Sequence, residues 1–176
     1  LGSTTTADPD AIKRVWGMRK RSVGLLGNME GEKRPIPFVE DTAVPPEHVA
    51  DFIAEFRAVL DSHGLEYGIF GHVDAGVMHV RPAMDMKQPE QEKLIRTITD
   101  EVANLTLKYG GLLWGEHGKG VRSEYVPKFF GDLYPLVKTV KTAFDPHNKL
   151  NPGKIAVAGS GELLRIDEVT TRGSGD

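Results

Sequence analysis

The chain has 176 residues, of which 39% are apolar and 27% are charged, and its formal net charge is −3. This length is enough to bury a core, and the charge excludes the basic surface that binds nucleic acids or anionic membranes. Because there is no cysteine, disulfides and thiolate metal sites are excluded, and only nitrogen and oxygen atoms could bind a metal. No apolar run predicts a membrane helix and no signal peptide is recognisable, which favours a cytoplasmic protein.

The first part of the chain predicts two helices with irregular structure between them. Asp8 is typical of a helix N-cap, and the apolar spacing behind it predicts a helix over 8–21. Glycines and prolines then predict a long basic loop over 20–37, followed by a short strand that ends at Asp41. A second amphipathic helix is predicted over 45–63.

The rest of the chain predicts a hairpin, further helices and a polar tail. The hairpin strands are expected over 67–72 and 77–81 and the longest helix over 89–109, with a glycine cap after it. A short buried strand over 112–114 and a helix over 132–144 follow. Helices that alternate with hairpin strands predict an α+β fold, in which helices flank an antiparallel sheet.

The hairpin predicts a pair of converging imidazoles. If Ala75 and Gly76 are the two central turn residues, His72 lies opposite His79, and the Cβ atoms of directly opposed residues are roughly 4.5–5.5 Å apart. A catalytic zinc ion usually takes three protein ligands, and Glu116, in the glycine-rich turn 115–120, is the third ligand that we select. The same residues also allow a polar histidine pair without metal and an ordinary solvated turn.

Two basic positions allow either a functional or a purely structural interpretation. Arg81 projects to the same strand face as His79, where it could contact an anionic substrate or form a surface ion pair. The basic run 19–21 is typical of a solvated helix end, and only an anionic substrate would make it functional.

Four motifs in order resemble a known family. They are FGHVDAGVMH at 70–79, GEHGKG at 115–120, Asp145-Pro146, and NPGK at 151–154. Together they resemble the C-terminal cap domain of FAD-linked 2-hydroxyacid dehydrogenases of the vanillyl-alcohol-oxidase type, which include D-lactate, glycolate and D-2-hydroxyglutarate dehydrogenases. The resemblance extends from Trp16 to about Ile155 and implies a ferredoxin-like cap.

The resemblance implies a metal-assisted oxidation of a D-2-hydroxyacid, either D-2-hydroxyglutarate or D-lactate, with FAD as hydride acceptor. His72, His79 and Glu116 would hold a divalent metal, with zinc as the expected ion. His117 would be the base that removes the hydroxyl proton.

The resemblance also implies contacts with the substrate and the flavin. Arg19 would pair with a substrate carboxylate, as a planar guanidinium can. Arg81 stands where the family commonly has asparagine, so it would supply a different polar contact. Asn151 and Lys154 would lie where the C-terminal segment returns toward the flavin.

The sequences of segment 35–45 and of the hairpin most resemble those of the large bacterial members that carry an appended iron–sulfur domain. We therefore expect a piece of a longer protein, with a cap domain over 8–157 and a polar linker over 158–176. The FAD-binding domain would lie outside this chain, so the isolated piece would be inactive.

Two alternatives use the same residues differently. A zinc hydrolase would use the metal ligands with His117 as base and would need no other domain. A non-catalytic ferredoxin-like binding module would make the histidines incidental and would bind no stoichiometric metal.

Overall fold

A computed structural model describes residues 4–25, 31–118 and 120–168. The helices are α1 (Pro9–Leu25), α2 (Val49–Ser62), α3 (Pro89–Lys108), α4 (Val126–Phe130) and α5 (Tyr134–Phe144). The strands are β1 (Arg34–Pro35), β2 (Thr42–Ala43), β3 (Tyr67–His72) and β4 (Val77–Met84). Within these described ranges, no helix combines the length and the apolar character needed to cross a membrane.

The sheet is antiparallel and is organised around β4. β3 pairs with β4 along its whole length, β2 pairs with Val77 and Met78 at the start of β4, and β1 pairs with its last residues. Ala43 in β2 also forms an antiparallel bridge with Leu112. The order from Leu112 through β2 and β4 to β3, with α2 and α3 as connections, is that of a ferredoxin-like β-α-β-β-α-β unit. The predicted α+β fold is confirmed.

The core lies between one face of the hairpin and helices α2 and α3. Alternate hairpin residues point into it, because side chains in a strand alternate between the two faces. The strand residues Met78, Val80 and Met84 belong to the same buried cluster as the helix residues Phe52, Phe56, Leu60, Ile98 and Val102. Burial of each such side chain contributes roughly 1.5–3 kcal/mol to folding. The opposite face of the hairpin is therefore available for polar groups.

Three predicted boundaries are wrong. Helix α1 continues to Leu25, into the predicted basic loop, because Gly24 alone costs a helix only about 1 kcal/mol. Residues 36–41, where a short strand was expected to end at Asp41, lie between β1 and β2 and belong to neither, since Pro37 lacks an N–H and Asp41 has a left-handed φ of +72°. The strand expected over 112–114 is reduced to the single bridge at Leu112.

The second half of the chain agrees better with expectation. Gly110 has a φ of +66° and ends α3, as the predicted glycine cap requires. Helix α5 lies within the range predicted for it, whereas the short helical turns over 120–130 were missed. The linker predicted over 158–176 stays a prediction, and the structure describes this range only as far as residue 168. Ile166 is buried in the core cluster, and its backbone N–H donates to Glu124.

Candidate metal and catalytic site

The hairpin register differs from the predicted one, but it keeps the two histidines on one face. His72 pairs with Val77, and Phe70 pairs with His79. The two-residue turn at 75–76 is therefore wrong, and the connection is the four residues 73–76. Because the pairing shifts by two positions and the side-chain period of a strand is two, both imidazoles still share a face. Their ring centroids lie 5.9 Å apart.

The four-residue connection over 73–76 is explained by its contact with the backbone of Val44. Gly76 has a φ of +71°, and a Cβ atom at this position would lie 1.8 Å from the carbonyl oxygen of Val44. The N–H of Val44 donates in turn to the carbonyl of Gly76 at 3.0 Å. Only glycine permits both the left-handed backbone and this close approach. A tertiary contact therefore selects the turn.

Glu116 completes the cluster that the sequence predicts. Its Oε1 lies 3.0 Å from Nε2 of His72, and its Oε2 lies 3.8 Å from Nε2 of His79. One ligand atom from each of the three residues falls within 4.8 Å of the others. Ligands at about 2.0–2.2 Å from a tetrahedral ion lie roughly 3–4 Å from one another, so a small closure of this cluster would suit a divalent ion.

The environment of His79 favours a neutral imidazole, which is the form that binds metals. Only 6% of this residue is exposed, and burial lowers the pKa of His79, against the opposing effect of nearby carboxylates. Its Nδ1 has no hydrogen-bond partner among the described residues and lies 3.9 Å from Oε1 of Glu40. A metal-bound histidine usually donates its second N–H to such a carboxylate. The donor set and this orphaned nitrogen therefore fit a metal site.

Glu40 also pairs with Arg81. The Nε of Arg81 donates to Oε2 of Glu40 at 2.6 Å, and the guanidinium lies 5.4 Å from the ring centre of Phe70. Because Glu40 is only 4% exposed, this ion pair belongs to the interior of the site. Arg81 thus lies on the predicted face, where a buried carboxylate holds it in place.

Asp41 organises the glycine-rich turn. Its backbone carbonyl accepts the N–H of Gly115 at 2.8 Å, and its carboxylate accepts the backbone N–H groups of Glu116 and His117. A Cβ atom at position 115 would lie 3.0 Å from the Cβ of Ala43, so a larger residue there would push the turn and β2 apart by a few tenths of an ångström. The segment that contains Asp41 therefore places both ionisable residues of the turn beside the hairpin.

Sequence reasoning missed three buried charged residues. Glu40 and Asp41 stand together in an otherwise apolar segment, and this unusual placement was the available signal. Arg122 is 1% exposed, and its Nη2 donates to the carbonyl oxygens of Glu40 and Leu113 at 2.5 and 2.6 Å. Burial lowers the pKa of Arg122 to about 10. This residue connects the two segments that carry the site, and no sequence spacing indicated it.

The two residues predicted to face the flavin line one cavity. Asn151 and Lys154 border a cavity of about 490 Å³ together with Gly118 and Gly120, which belong to the glycine-rich turn. The Lys154 side chain occupies the space next to Gly120, where an added Cβ atom would lie 2.4 Å from it. The structure therefore brings these residues to the far end of the turn that carries Glu116.

Arg19 lies on α1. Its guanidinium is 5.2 Å from the ring centre of Trp16 in the same helix, and 59% of Trp16 is exposed. The contact is of the kind that guanidinium groups make with aromatic faces. A role of Arg19 toward a substrate stays a prediction.

The comparison with known families identifies the class to which this α+β domain belongs. The chain belongs to the family described as FAD linked oxidases, C-terminal domain, which matches residues 1–155. This confirms the resemblance identified from the motifs.

The most similar relatives include dehydrogenases of D-2-hydroxyacids. D-2-hydroxyglutarate dehydrogenase from Pseudomonas putida is 66% identical over 178 aligned positions, which cover 100% of this chain and 18% of that protein. The enzyme of the same name from Escherichia coli is 62% identical over 90% of this chain and 16% of its own length. D-lactate dehydrogenase from Archaeoglobus fulgidus is 29% identical over 87% of this chain and 32% of its own length. The chain thus spans a third or less of these relatives.

Proposed function

We propose that this chain forms the substrate-side domain of a larger flavin-dependent dehydrogenase, which oxidises a D-2-hydroxyacid to the 2-oxoacid. The observation that carries the proposal is the convergence of His72, His79 and Glu116 within 4.8 Å in a chain that belongs to this family. D-2-hydroxyglutarate is the first candidate substrate, since two relatives above 60% identity carry that name, and D-lactate is the second.

The same three residues would hold a divalent metal, with zinc as the first candidate. A metal bound there would polarise the substrate hydroxyl and lower its pKa. His117 is 48% exposed at its side chain and lies beside the cluster, where it can accept the hydroxyl proton. A bound FAD would supply the hydride acceptor, so that the alcohol would lose its hydroxyl proton to His117 and its C2 hydride to the flavin and become the 2-oxoacid.

The remaining predicted residues take supporting roles in this proposal. Arg19 and Arg81 supply positive charge for the substrate carboxylates, and Arg81 is already oriented by Glu40. Asn151 and Lys154 face the flavin from the cavity that they line. FAD would be bound mainly by a domain outside this chain, and an iron–sulfur domain and a cytoplasmic location belong to the same proposal.

The exposed apolar residues support the presence of further domains. On α5, Leu136, Val140 and Phe144 are 62%, 54% and 85% exposed, although their spacing is that of a packed helix face. On α1, Val15 and Trp16 are 60% and 59% exposed. An apolar surface of this kind is typical of protein that is covered by a partner.

The test uses the full-length protein. Purified enzyme is analysed for metal by elemental mass spectrometry and for anaerobic bleaching of its flavin by D-2-hydroxyglutarate, D-lactate and their L-enantiomers. We expect about one divalent metal per chain and bleaching by one D-hydroxyacid only.

The matched variants are His79→Ala, which should lose both metal and bleaching, and His63→Ala, which should keep both. His63 is a suitable control because it is paired with Glu101 at 3.1 Å and lies at the end of α2. Retention of full activity without metal would contradict the metal proposal. Hydrolytic turnover by the isolated chain with zinc would favour a hydrolase instead.

A further inference from the structure

Asp41 has an unusual backbone and complete burial. It is 0% exposed, and its φ of +72° lies in the left-handed region that residues other than glycine, asparagine and aspartate rarely adopt. Such a conformation costs free energy and persists only where the surroundings require it. Here the conformation sends the backbone N–H to the carbonyl of Met78 at 2.9 Å and directs the side chain toward the glycine-rich turn.

The carboxylate of Asp41 accepts three hydrogen bonds from two successive residues. Oδ1 accepts the backbone N–H of Glu116, and Oδ2 accepts the backbone N–H of His117, both at 3.0 Å. Oδ1 also lies 3.0 Å from Nδ1 of the His117 ring. The first two contacts shape the turn, whereas the third acts on the imidazole alone.

The contact between the ring and Asp41 determines which nitrogen is available for chemistry. A carboxylate oxygen accepts, so Nδ1 must carry the hydrogen, and in a neutral ring Nε2 is then the nitrogen that can take up a proton. Nε2 lies 3.9 Å from Oε2 of Glu116, and the ring centroid is 5.8 Å from that of His79. The available nitrogen therefore lies beside the cluster where the substrate hydroxyl would bind.

We propose that Asp41 is the positioning residue for His117, which it holds in the tautomer and orientation that allow Nε2 to accept the substrate proton. This inference rests on the proposed function and deepens it, because it assigns a role to a residue that no motif identified. A buried carboxylate that holds the tautomer of a general base is worth about 10⁴-fold in kcat in the serine protease triad.

The test replaces Asp41 by asparagine in the full-length enzyme. Asparagine tolerates the left-handed φ, and its side-chain oxygen can still accept one backbone N–H. It has only one acceptor oxygen, however, so it cannot accept hydrogen bonds from both backbone N–H groups of the turn and from the ring of His117 as the carboxylate does. We expect kcat and the rate of flavin reduction to fall by about 10²–10⁴-fold. Metal content should stay at the wild-type level, and the dissociation constant for the 2-oxoacid product should change by less than about threefold.

Two further variants separate positioning from a purely structural role. Asp41→Gly keeps the backbone conformation and removes the carboxylate, so it should reproduce the loss in kcat if asparagine causes misfolding. The double variant Asp41→Asn/His117→Ala should be no slower than His117→Ala alone, since residues that act as a unit are not additive. Asp145→Asn is the matched control, because Asp145 also accepts two backbone N–H groups but contacts no histidine ring. It should leave kcat unchanged.

Failure of the positioning role of Asp41 can be distinguished from failure of the proposed dehydrogenase function. If wild-type enzyme oxidises no D-2-hydroxyacid, the proposed function fails, and the positioning role that rests on it fails with it. If wild-type enzyme is active and Asp41→Asn keeps kcat, the positioning role is wrong. If Asp41→Asn loses metal and product affinity together with kcat, Asp41 only holds the turn, and the inference is overturned.

Discussion

Helices α2 and α3 differ sharply from α1 and α5 in how they bury apolar residues. Phe52 on α2 and Ile98 on α3 are completely buried, whereas Leu136 and Phe144 on α5 are 62% and 85% exposed. All four helices have an apolar face in the sequence, so the difference lies in their packing. The stability of this chain should therefore reside in the sheet with α2 and α3.

The site is divided between these two regions. His72 and His79 lie on β3 and β4, which pack on the buried core. Asp41 directly precedes β2, and Glu116 lies in the turn after the bridge at Leu112. Asn151 and Lys154 follow the exposed helix α5 and line the cavity that Gly118 and Gly120 of the glycine-rich turn also border. We infer that the three candidate metal ligands are supported by the core of this chain, and that Asn151 and Lys154 depend more on contacts beyond it.

The largest expected effect is a cavity in the buried region. Phe52→Ala removes a ring that packs edge to face against Phe56 with centroids 5.6 Å apart. Truncation of a buried phenylalanine costs about 3–5 kcal/mol, so we expect a free energy of unfolding lower by that amount in urea titrations of the chain. A loss below about 1 kcal/mol would contradict the division between the two regions.

Alanine substitutions at two glycines, one in the buried region and one on α1, compare how tightly the backbone is packed in the two regions. In Gly111→Ala the new Cβ atom would lie 2.2 Å from the carbonyl oxygen of Ala43, so β2 or the 111–115 segment must move. We expect a loss of about 1–3 kcal/mol, as for other overpacked positions. In the control Gly17→Ala on α1, the new Cβ would meet no described atom within 4 Å other than the neighbouring backbone of its own helix, and stability should rise by about 0.5–1 kcal/mol. Thermal unfolding of both variants measures the difference.

Asp145 accepts several hydrogen bonds at the end of the exposed helix α5. Its ionisation should therefore make the free energy of unfolding depend on pH in the acid range. The hydrogen bonds from Lys141 and from the backbone N–H groups of Leu150 and Lys149 lower the pKa of Asp145 to about 2, from an ordinary value of 3.8. Because the folded pKa is below the unfolded one, the stabilisation is complete above about pH 4 and is lost as the pH falls through 2. Asp145→Asn should remove this part of the acid dependence. Identical acid-unfolding profiles for the two proteins would contradict the assignment.

The smallest effect is expected on the exposed face of α5. Phe144→Ser replaces a side chain that is 85% exposed, and substitutions of this kind usually change stability by less than about 0.5 kcal/mol. The matched comparison is Phe52→Ala, where the same residue type is fully buried. A large loss in Phe144→Ser would show that this helix contributes to the core after all.

Local sequence patterns predicted the elements that depend on neighbouring residues. The helical spacing located α2, α3 and α5, and the hairpin predicted between 67–72 and 77–81 placed His72 and His79 on one face. The face assignment survived an error in the register because the error was an even number of residues. The motif order identified the family, which the match over residues 1–155 confirms.

Tertiary structure decided everything that depends on contacts between distant segments. The turn at 73–76 is set by Val44, and the ring of His117 is held by Asp41, which lies 76 residues earlier in the chain. Arg122 joins the carbonyls of Glu40 and Leu113 across a similar separation. A residue's own neighbours determine its backbone preference and its strand face. Only the folded chain determines which buried donor meets which acceptor, because that pairing must satisfy most of the polar groups removed from water.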